Sequence, residues 1–204
     1  MKAVLVNPER CIACHQCELA CALEHSSSRD LFAAAGERPA PRRRIYVEAG
    51  PGHFSFPIKC RHCDPAPCVQ VCPTTALYVD EDKGFVLVER DRCIGCRLCV
   101  FACPFGIISF GESWEYGVGK NVQLKCDQCV DRQRRGLGPA CVEACKTGAL
   151  QYGDVNQMLR ESGRQTAFRV TSALSGASWP GAVSNLDEFR SLGSGGGKQS
   201  ALGA

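Results

Sequence analysis

One short stretch of the sequence repeats cysteine at a fixed rhythm. Residues 93–104 follow the pattern Cys-x2-Cys-x2-Cys-x3-Cys-Pro, from Cys93 to Pro104. Three thiolates at this spacing hold three corners of an iron–sulfur cube, and the fourth cysteine ligates a second cube where two lie side by side. The stretch therefore predicts at least one further cysteine group in the same chain.

The chain supplies three more groups. All sixteen cysteines fall into the four groups, and none is left over. We therefore predict that every cysteine is a metal ligand and that the chain binds four [4Fe–4S] clusters. The groups are Cys11, Cys14, Cys17 and Cys21 (group one); Cys60, Cys63, Cys68 and Cys72 (group two); Cys93, Cys96, Cys99 and Cys103 (group three); and Cys126, Cys129, Cys141 and Cys145 (group four).

The abundance of cysteine limits the classes of protein to consider. Sixteen cysteines in 204 residues indicate either disulfide bonds or bound metal. Disulfides are typical of secreted chains, and residues 1–7 carry too short an apolar run for an export signal. Cysteine pairs with two residues between them, in a reducing compartment, are typical of metal sites. The sequence therefore predicts a cytoplasmic metalloprotein.

Charge and hydropathy exclude two kinds of partner. The net charge of +3 is too small to predict nucleic-acid binding. Two local basic runs, residues 42–44 and 132–135, indicate either a solvated face or a docking patch for an acidic partner. No apolar run approaches the roughly 18 residues that a membrane span needs, so we expect no membrane-spanning helix.

The predicted clusters indicate an electron carrier without catalytic activity. A cube held by four thiolates has no open coordination position, so it exchanges electrons but binds no substrate. The chain also lacks the G-x4-G-K-[S/T] phosphate loop, although residues 117–120 contain part of that pattern. A hypothesis from another class is an interaction module held together by structural zinc. Zinc explains the Cys-x2-Cys pairs but not the longer rhythm of group three.

Short strands and short helices are predicted around the groups, which indicates an α+β fold. A cysteine motif followed by a strand and a turn recurs after groups two and three, so we expect two pseudo-symmetric ferredoxin-like modules with short hairpins. The predicted parts are an outer module of residues 1–25 with 120–153, an insertion at 26–56, an inner module at 57–110, an insertion at 111–119 and a flexible C-terminal extension at 154–204. Strands are expected at 2–6, 45–47, 74–79, 85–89, 106–110 and 146–152, and helices at 18–25 and 154–170.

The fourth-cysteine exchange assigns ligands once the groups are paired. Groups two and three are joined by one predicted hairpin, which favours pairing them and leaves groups one and four to pair with each other. The alternative joins group one to two and group three to four, and the shorter distances along the chain slightly favour it. The first, nested arrangement gives four sets: quartet I (Cys11, Cys14, Cys17, Cys145), quartet II (Cys21, Cys126, Cys129, Cys141), quartet III (Cys60, Cys63, Cys68, Cys103) and quartet IV (Cys72, Cys93, Cys96, Cys99).

The four groups also resemble a known family. Cys-Arg-His-Cys-Asp-Pro-Ala-Pro-Cys at 60–68, and Cys-Asp-Gln-Cys with Pro-Ala-Cys-Val-Glu-Ala-Cys within 126–145, are similar to the four-cluster iron–sulfur subunits of carbon monoxide dehydrogenase, tungsten and molybdenum oxidoreductase and hydrogenase complexes. The resemblance covers about residues 3–153. It implies the nested pairing and a linear wire of four clusters. The sequence departs from it at Ala22 and Lys146, where proline follows the fourth cysteine elsewhere.

The resemblance also implies partners. It suggests a catalytic oxidoreductase subunit, of the tungsten aldehyde oxidoreductase or carbon monoxide dehydrogenase type, and a second redox partner such as a reductase, a hydrogenase or a ferredoxin. A subunit of a formate dehydrogenase–hydrogenase complex is the alternative. Clusters near both ends of a wire would further allow copies of the chain to associate head to tail.

Several residues beside the ligands have two interpretations. Six cations flank cysteines, and each either raises the reduction potential of a cluster or is simply solvated. Three glycines, Gly95, Gly106 and Gly148, either admit close approach of the backbone to cluster sulfur or only form turns. His25 is a poor ligand candidate because each cluster already has four thiolates. The flanking cations are Lys59, Arg61, Arg92, Arg97, Lys125 and Lys146.

Overall fold

The computed structural model describes residues 2–112 and 121–175. The chain divides into two compact units, Met1–Val155 and Asn156–Ala204. The first contains all sixteen cysteines. Among the helices of the described residues, none combines the length and apolar character that a membrane span requires.

Four antiparallel strand pairs form the β-structure of the first unit. The outermost pair joins β1 (Lys2–Val6) to β8 (Leu150–Asp154), so both ends of the unit meet in one ribbon. The hairpin of β4 (Leu77–Val79) and β5 (Val86–Val88) follows group two. The other two pairs are β2 (Ile45–Ala49) with β3 (Ser55–Lys59), and β6 (Ser109–Gly111) with β7 (Val122–Leu124).

The helices of the first unit are short, and four of them contain ligand candidates. Group one ends on α1 (Gln16–Glu24), and group three runs through α4 (Leu98–Ala102). The third cysteines of groups two and four lie on α3 (Pro67–Gln70) and α6 (Ala140–Glu143). The other short helices are α2 (Leu31–Gly36) and α5 (Val130–Arg134). The long helix α7 (Val155–Ser175) belongs, except for its first residue, to the second unit.

Two hydrophobic cores each join one pair of cysteine groups, and Cys126 of group four also packs against the first of them. One core contains Cys60 and Cys99 among Leu77, Val86 and Ile107, so it joins groups two and three. The other contains Cys17 and Cys141 among Val4, Ile45 and Leu150, so it joins groups one and four. The cores thus bring together the groups of the nested arrangement.

Most predicted elements are present, and two predictions need correction. The insertion at 26–56 carries the helix α2, and its strand β2 is not isolated but pairs with β3, which begins at the end of the insertion and continues to Lys59. The helix predicted at 154–170 continues to Ser175. Residues 176–204 of the predicted C-terminal extension, and residues 113–119 of the second insertion, lie outside the described residues.

Candidate metal centres

Groups one and three share one local backbone design. A 3-10 turn, Pro8–Arg10 or Arg90–Arg92, leads into the first cysteine. The residue before the helix then adopts a left-handed conformation, with φ of 56° at His15 and 66° at Arg97. A second left-handed residue lies between the first two cysteines, where Gly95 has φ of 71°. An added Cβ there would lie 3.3 Å from the carbonyl oxygen of Asn121, so this glycine serves a close approach between backbone segments.

Groups two and four share a different design. In both, a lysine precedes the first cysteine, and a left-handed residue, His62 or Gln128, precedes the second. The backbone N–H of that residue donates to the sulfur of the first cysteine, with N···Sγ distances of 3.4 Å to Cys60 and 3.4 Å to Cys126. These donors stabilise negative charge on sulfur.

Two cavities are each lined by a complete quartet. The four cysteines of quartet II line one cavity, together with His25, Arg44, Lys59 and Asp127. The four cysteines of quartet IV line another, together with Ile94 and Leu98. Both sets combine the first three cysteines of one group with the fourth of its nested partner. The fold therefore brings together thiols that lie far apart in the sequence.

The pKa shifts of the thiols connect members of quartets I and III. The pKa of Cys17 is raised to about 11, mainly by burial, and the neighbouring thiols Cys14 and Cys145 contribute to that rise. Burial also raises the pKa of Cys68, with added repulsion from Cys60 and Cys103. Cys11 and Cys63, the remaining members of quartets I and III, are half-buried.

Thiols of different quartets also shift one another's pKa. The pairs of thiols that do so show which quartets are neighbours. The pKa of Cys141, raised first by burial, is raised further by Cys17, which relates quartet II to quartet I. Burial and the charge of Cys60 likewise raise the pKa of Cys126, relating quartet II to III. Burial and the charge of Cys68 raise the pKa of Cys99, which relates quartet III to quartet IV. The order of neighbours is therefore I, II, III and IV.

The donor chemistry of the quartets fits iron–sulfur clusters. Every quartet offers four sulfur donors, the set that tetrahedral iron–sulfur and zinc centres use. Burial and mutual repulsion raise the pKa of Cys21, Cys129 and Cys141 well above the ordinary range. Bound metal cations would offset both effects, because coordination deprotonates a thiol. These residues are therefore suited to hold metal rather than to remain free thiols.

Buried charges surround quartet II. Arg44 belongs to one of the two basic runs, yet its side chain is only 3% exposed and donates to Asp127 Oδ2 at 3.0 Å. Its backbone N–H also donates to Cys21 Sγ at 3.2 Å. Both sequence interpretations, a solvated face and a docking patch, are therefore wrong for Arg44. Burial alone would raise the pKa of Asp127, but the charges of His25 and Arg44 lower it to about 2.

His25 lies closer to the centres than its sequence position indicated. Its ring is buried, and Nε2 lies 3.7 Å from Asp127 Oδ1. The potential ligand atoms of His25, Asp127 and Cys129 lie within 4.8 Å of one another. Because Cys129 already belongs to quartet II, the geometry gives His25 a role beside the quartet, as the partner of Asp127.

Sequence analysis missed four polar residues around the centres: the buried Arg44, His62 and Gln128, and the half-buried Asp127. A signal for two of them was present. Lys-Cys-x-His-Cys at 59–63 and Lys-Cys-x-Gln-Cys at 125–129 repeat the same pattern, and both middle residues are buried. The role of Arg44 had no such signal, because it depends on contacts between segments distant in sequence.

Comparisons with known proteins agree with this geometry. The family described as 4Fe-4S dicluster domain matches residues 52–155. The chain is 41% identical over 159 residues to an iron–sulfur protein of Rhodospirillum rubrum, covering 75% of this chain and 82% of that protein. It is 39% identical over 177 residues to the electron transport protein HydN of Escherichia coli, covering 81% and 97%. It is 38% identical over 178 residues to the thiosulfate reductase electron transfer subunit PhsB of Salmonella typhi, covering 85% and 88%.

The chain belongs to the 4Fe-4S dicluster domain family and is a metal-binding iron–sulfur protein. Its fold is a small α+β ferredoxin-like domain of short strands and short helices. The zinc hypothesis has no support among these relatives.

Proposed function

We propose that this chain is the electron-transfer subunit of an oxidoreductase complex, with one [4Fe–4S] cluster in each of quartets I to IV. The observation that carries the proposal is the convergence of eight thiols into two complete sets of four, quartets II and IV, within a 4Fe-4S family. A cluster of this type supplies one-electron chemistry when it is bound. The nested ligand assignment and the two-module pseudo-symmetry are parts of the same proposal.

The residues of the chain have three tasks in this function. The sixteen thiolates hold the metal, and backbone N–H groups at Arg44, His62, Gln128 and Leu150 donate to ligand sulfurs at 3.2–3.4 Å. The two hydrophobic cores exclude water from the quartets, which protects the sulfurs and sets the local dielectric. None of these residues needs to bind a substrate, which supports a role without catalysis.

Exposure supports quartets I and IV as the two ends of the electron path. All sixteen cysteines lie in the described part of the chain, and only Cys14 and Cys96 among them are exposed. Cys14 belongs to quartet I and Cys96 to quartet IV, the outer members of the order of neighbours. Beside them, Ile12 and Ile94 are each 68% exposed. Apolar groups around an accessible ligand favour close docking of a redox partner.

The partners are proposed from the relatives and the resemblance. One end would meet a catalytic oxidoreductase subunit, and the other a second redox protein such as a reductase, a hydrogenase or a ferredoxin. PhsB is named for thiosulfate reductase, and the sequence resemblance suggests carbon monoxide dehydrogenase or tungsten enzymes, with formate dehydrogenase–hydrogenase complexes as the alternative. Free cysteines are consistent with the proposed cytoplasmic location. Because both ends carry the sequence Cys-Ile-x-Cys, head-to-tail self-association remains part of the proposal.

The test is electron transfer between the full-length chain and the catalytic subunit that co-purifies with it under anaerobic conditions. Substrate should bleach the cluster absorbance of the chain through that enzyme. Ile12→Glu and Ile94→Glu should each slow exchange with a different partner, while Leu137→Glu, an equally drastic change at another exposed apolar residue, should slow neither. A fully loaded chain that its associated enzyme neither reduces nor oxidises would contradict the proposal.

A further inference from the structure

Two lysines occupy equivalent and unusual positions. Lys59 directly precedes Cys60, Lys125 directly precedes Cys126, and each is only 3% exposed. Lysine is almost never buried to this extent unless its charge has a partner. The ammonium of Lys59 donates to the Cys60 carbonyl at 3.3 Å, and that of Lys125 donates to the Cys126 carbonyl at 3.0 Å. These carbonyls solvate the ammonium groups but carry no formal charge.

Lys59 adjoins quartet III in the sequence but lies beside quartet II in the fold. It ends β3 and directly precedes the first cysteine of quartet III. Its side chain nevertheless lines the cavity of quartet II. The cavity therefore places a buried cation beside the four sulfurs of quartet II.

Lys125 shows the reverse arrangement, adjoining quartet II in the sequence and contacting residues near quartet III. It follows β7 and directly precedes the first cysteine of quartet II, yet its ammonium also donates to the carbonyl of Val86 on β5. The N–H of Val86 in turn donates to His62 Nδ1 at 3.1 Å, and Val86 packs in the core that contains Cys60. The backbone N–H of His62 donates to Cys60 Sγ, so these contacts place the Lys125 ammonium beside quartet III.

The physical effect of such a cation has a definite sign. A reduced cluster carries one more negative charge than an oxidised one, so a nearby fixed positive charge stabilises the reduced form. In a buried, low-dielectric site the effect is several times larger than at the surface, where water and salt screen it. The other four flanking cations, Arg61, Arg92, Arg97 and Lys146, are exposed.

We propose that Lys59 raises the reduction potential of the cluster in quartet II and that Lys125 raises that of the cluster in quartet III. Lys59, which adjoins group two, thus acts on a cluster held by groups one and four. Lys125, which adjoins group four, acts on a cluster held by groups two and three. The two inner clusters accept electrons more readily than they would without these charges. This inference rests on the proposed function, since it requires clusters in quartets II and III.

The experiment is an EPR-monitored redox titration of the full-length, cluster-loaded protein. The signals of quartets II and III are identified beforehand as those lost in Cys129→Ser and Cys63→Ser. Lys59→Gln removes the charge but keeps a donor for the Cys60 carbonyl, and Lys59→Met serves as a second neutral variant. We expect either to lower the potential of quartet II by about 59 mV or more, a tenfold change in the ratio of reduced to oxidised cluster. Lys125→Gln should do the same to quartet III.

Two controls separate charge from packing. Lys59→Arg keeps the positive charge and should leave the quartet II potential within about a twofold change in that ratio. Lys146→Met removes an exposed cation beside Cys145 and should change the ratio at quartet I by less than about twofold, because the surface is screened. A purely structural role for Lys59 would make the arginine and glutamine variants alike.

Three results overturn the inference. Potentials of the neutral variants that match the wild type, with unchanged iron content, would show that the lysines do not tune the clusters. A shift confined to quartet III in Lys59→Gln would refute the crossed assignment. A Lys59→Arg potential as low as that of Lys59→Gln would refute the charge mechanism. Failure of the proposed function is distinct, because it would show in the wild-type protein, either as absent cluster signals or as loaded clusters that exchange no electrons with the associated enzyme.

Discussion

The two pairs of cysteine groups reach similar arrangements by different routes. Groups two and three are neighbours in sequence, and the short β4–β5 hairpin between them closes their core. Groups one and four lie near opposite ends of the first unit, and the β1–β8 ribbon brings those ends together. The backbone N–H of Asn7 extends the β1–β8 ribbon by donating to the Ala149 carbonyl at 2.8 Å. The backbone N–H of Glu89 extends the β4–β5 hairpin in the same way, by donating to the Ala76 carbonyl at 2.7 Å.

This comparison teaches that distance along the chain is a weak guide to partnership. The entropy of closing a loop rises only slowly with its length, by about 0.6 kcal/mol for each doubling. A shared core outweighs that cost, and bound clusters would add to the advantage. The competing arrangement, which joins group one to two and group three to four, therefore loses the small advantage that its shorter loops offered.

The largest expected effect comes from breaking the exchange of fourth cysteines. Cys145→Ser should damage the cluster of quartet I and spare the one that its own group helps to hold, quartet II. Cys72→Ser is the matched variant, and it should damage quartet IV and spare quartet III. EPR spectra of the reduced variants would show which signal is lost. Loss of the quartet II signal in Cys145→Ser would reverse the assignment.

A smaller effect is expected from the two leucines that follow the fourth cysteines. Leu77 and Leu150 each follow an alanine and are 3% and 2% exposed, one in each core. Replacing either by alanine should destabilise the fold by about 2–5 kcal/mol. In an anaerobic guanidinium titration, Leu77→Ala should release the clusters of quartets III and IV first, and Leu150→Ala those of I and II.

Leu159→Ala is the control for these core substitutions. Leu159 is 57% exposed on α7, so its replacement should change the stability by no more than about 0.5 kcal/mol. If both core variants lost all four clusters together, the two pairs of groups would form one cooperative core, and the distinction between them would fail.

The smallest expected effect lies in the insertion that leads from group one to group two. Glu37 accepts hydrogen bonds from the N–H groups of Ser27 and Ser28 at 3.0 and 2.8 Å. The Ser28 hydroxyl and these N–H groups lower the pKa of Glu37 to about 2, so the carboxylate is ionised at neutral pH. Because the folded-state pKa is lowered, its stabilising effect persists above the ordinary glutamate pKa and is lost as the pH falls toward 2.

Glu37→Gln tests this contact at neutral pH by hydrogen exchange. The amides of Ser27 and Ser28 should exchange faster, because a neutral amide accepts weaker hydrogen bonds than a carboxylate. Amides of the β1–β8 ribbon and of the β4–β5 hairpin should keep their wild-type rates. Faster exchange throughout the ribbon would mean that the insertion helps to hold the outer pair of groups together.

Much of the local structure could be predicted from the sequence. The strands at residues 2–6 and 45–47 and the hairpin between groups two and three follow from β-branched runs bounded by turn residues. The helix after Cys17 is present as α1. Such elements depend on neighbouring residues, which a single sequence displays directly.

The rest depends on contacts between distant segments. The strand β3, at the boundary between the insertion and the inner module, contains Pro57, which argues against a strand, yet it pairs with β2 and is held in place by that partner. The burial of Lys59, Lys125 and Arg44 likewise has no local signal, because each side chain enters a site built from other parts of the chain. The cysteine rhythm indicated the kind of centre, but the charges around it required the fold.

The central claim is that sixteen cysteines hold four [4Fe–4S] clusters, and counting the metal tests it most directly. Iron and acid-labile sulfide should be determined for each chain of protein purified without oxygen. The account predicts about sixteen iron and about sixteen sulfide, since each cube has four of each. About eight of each in freshly purified protein would leave two quartets without clusters and contradict the claim, as would zinc in place of iron.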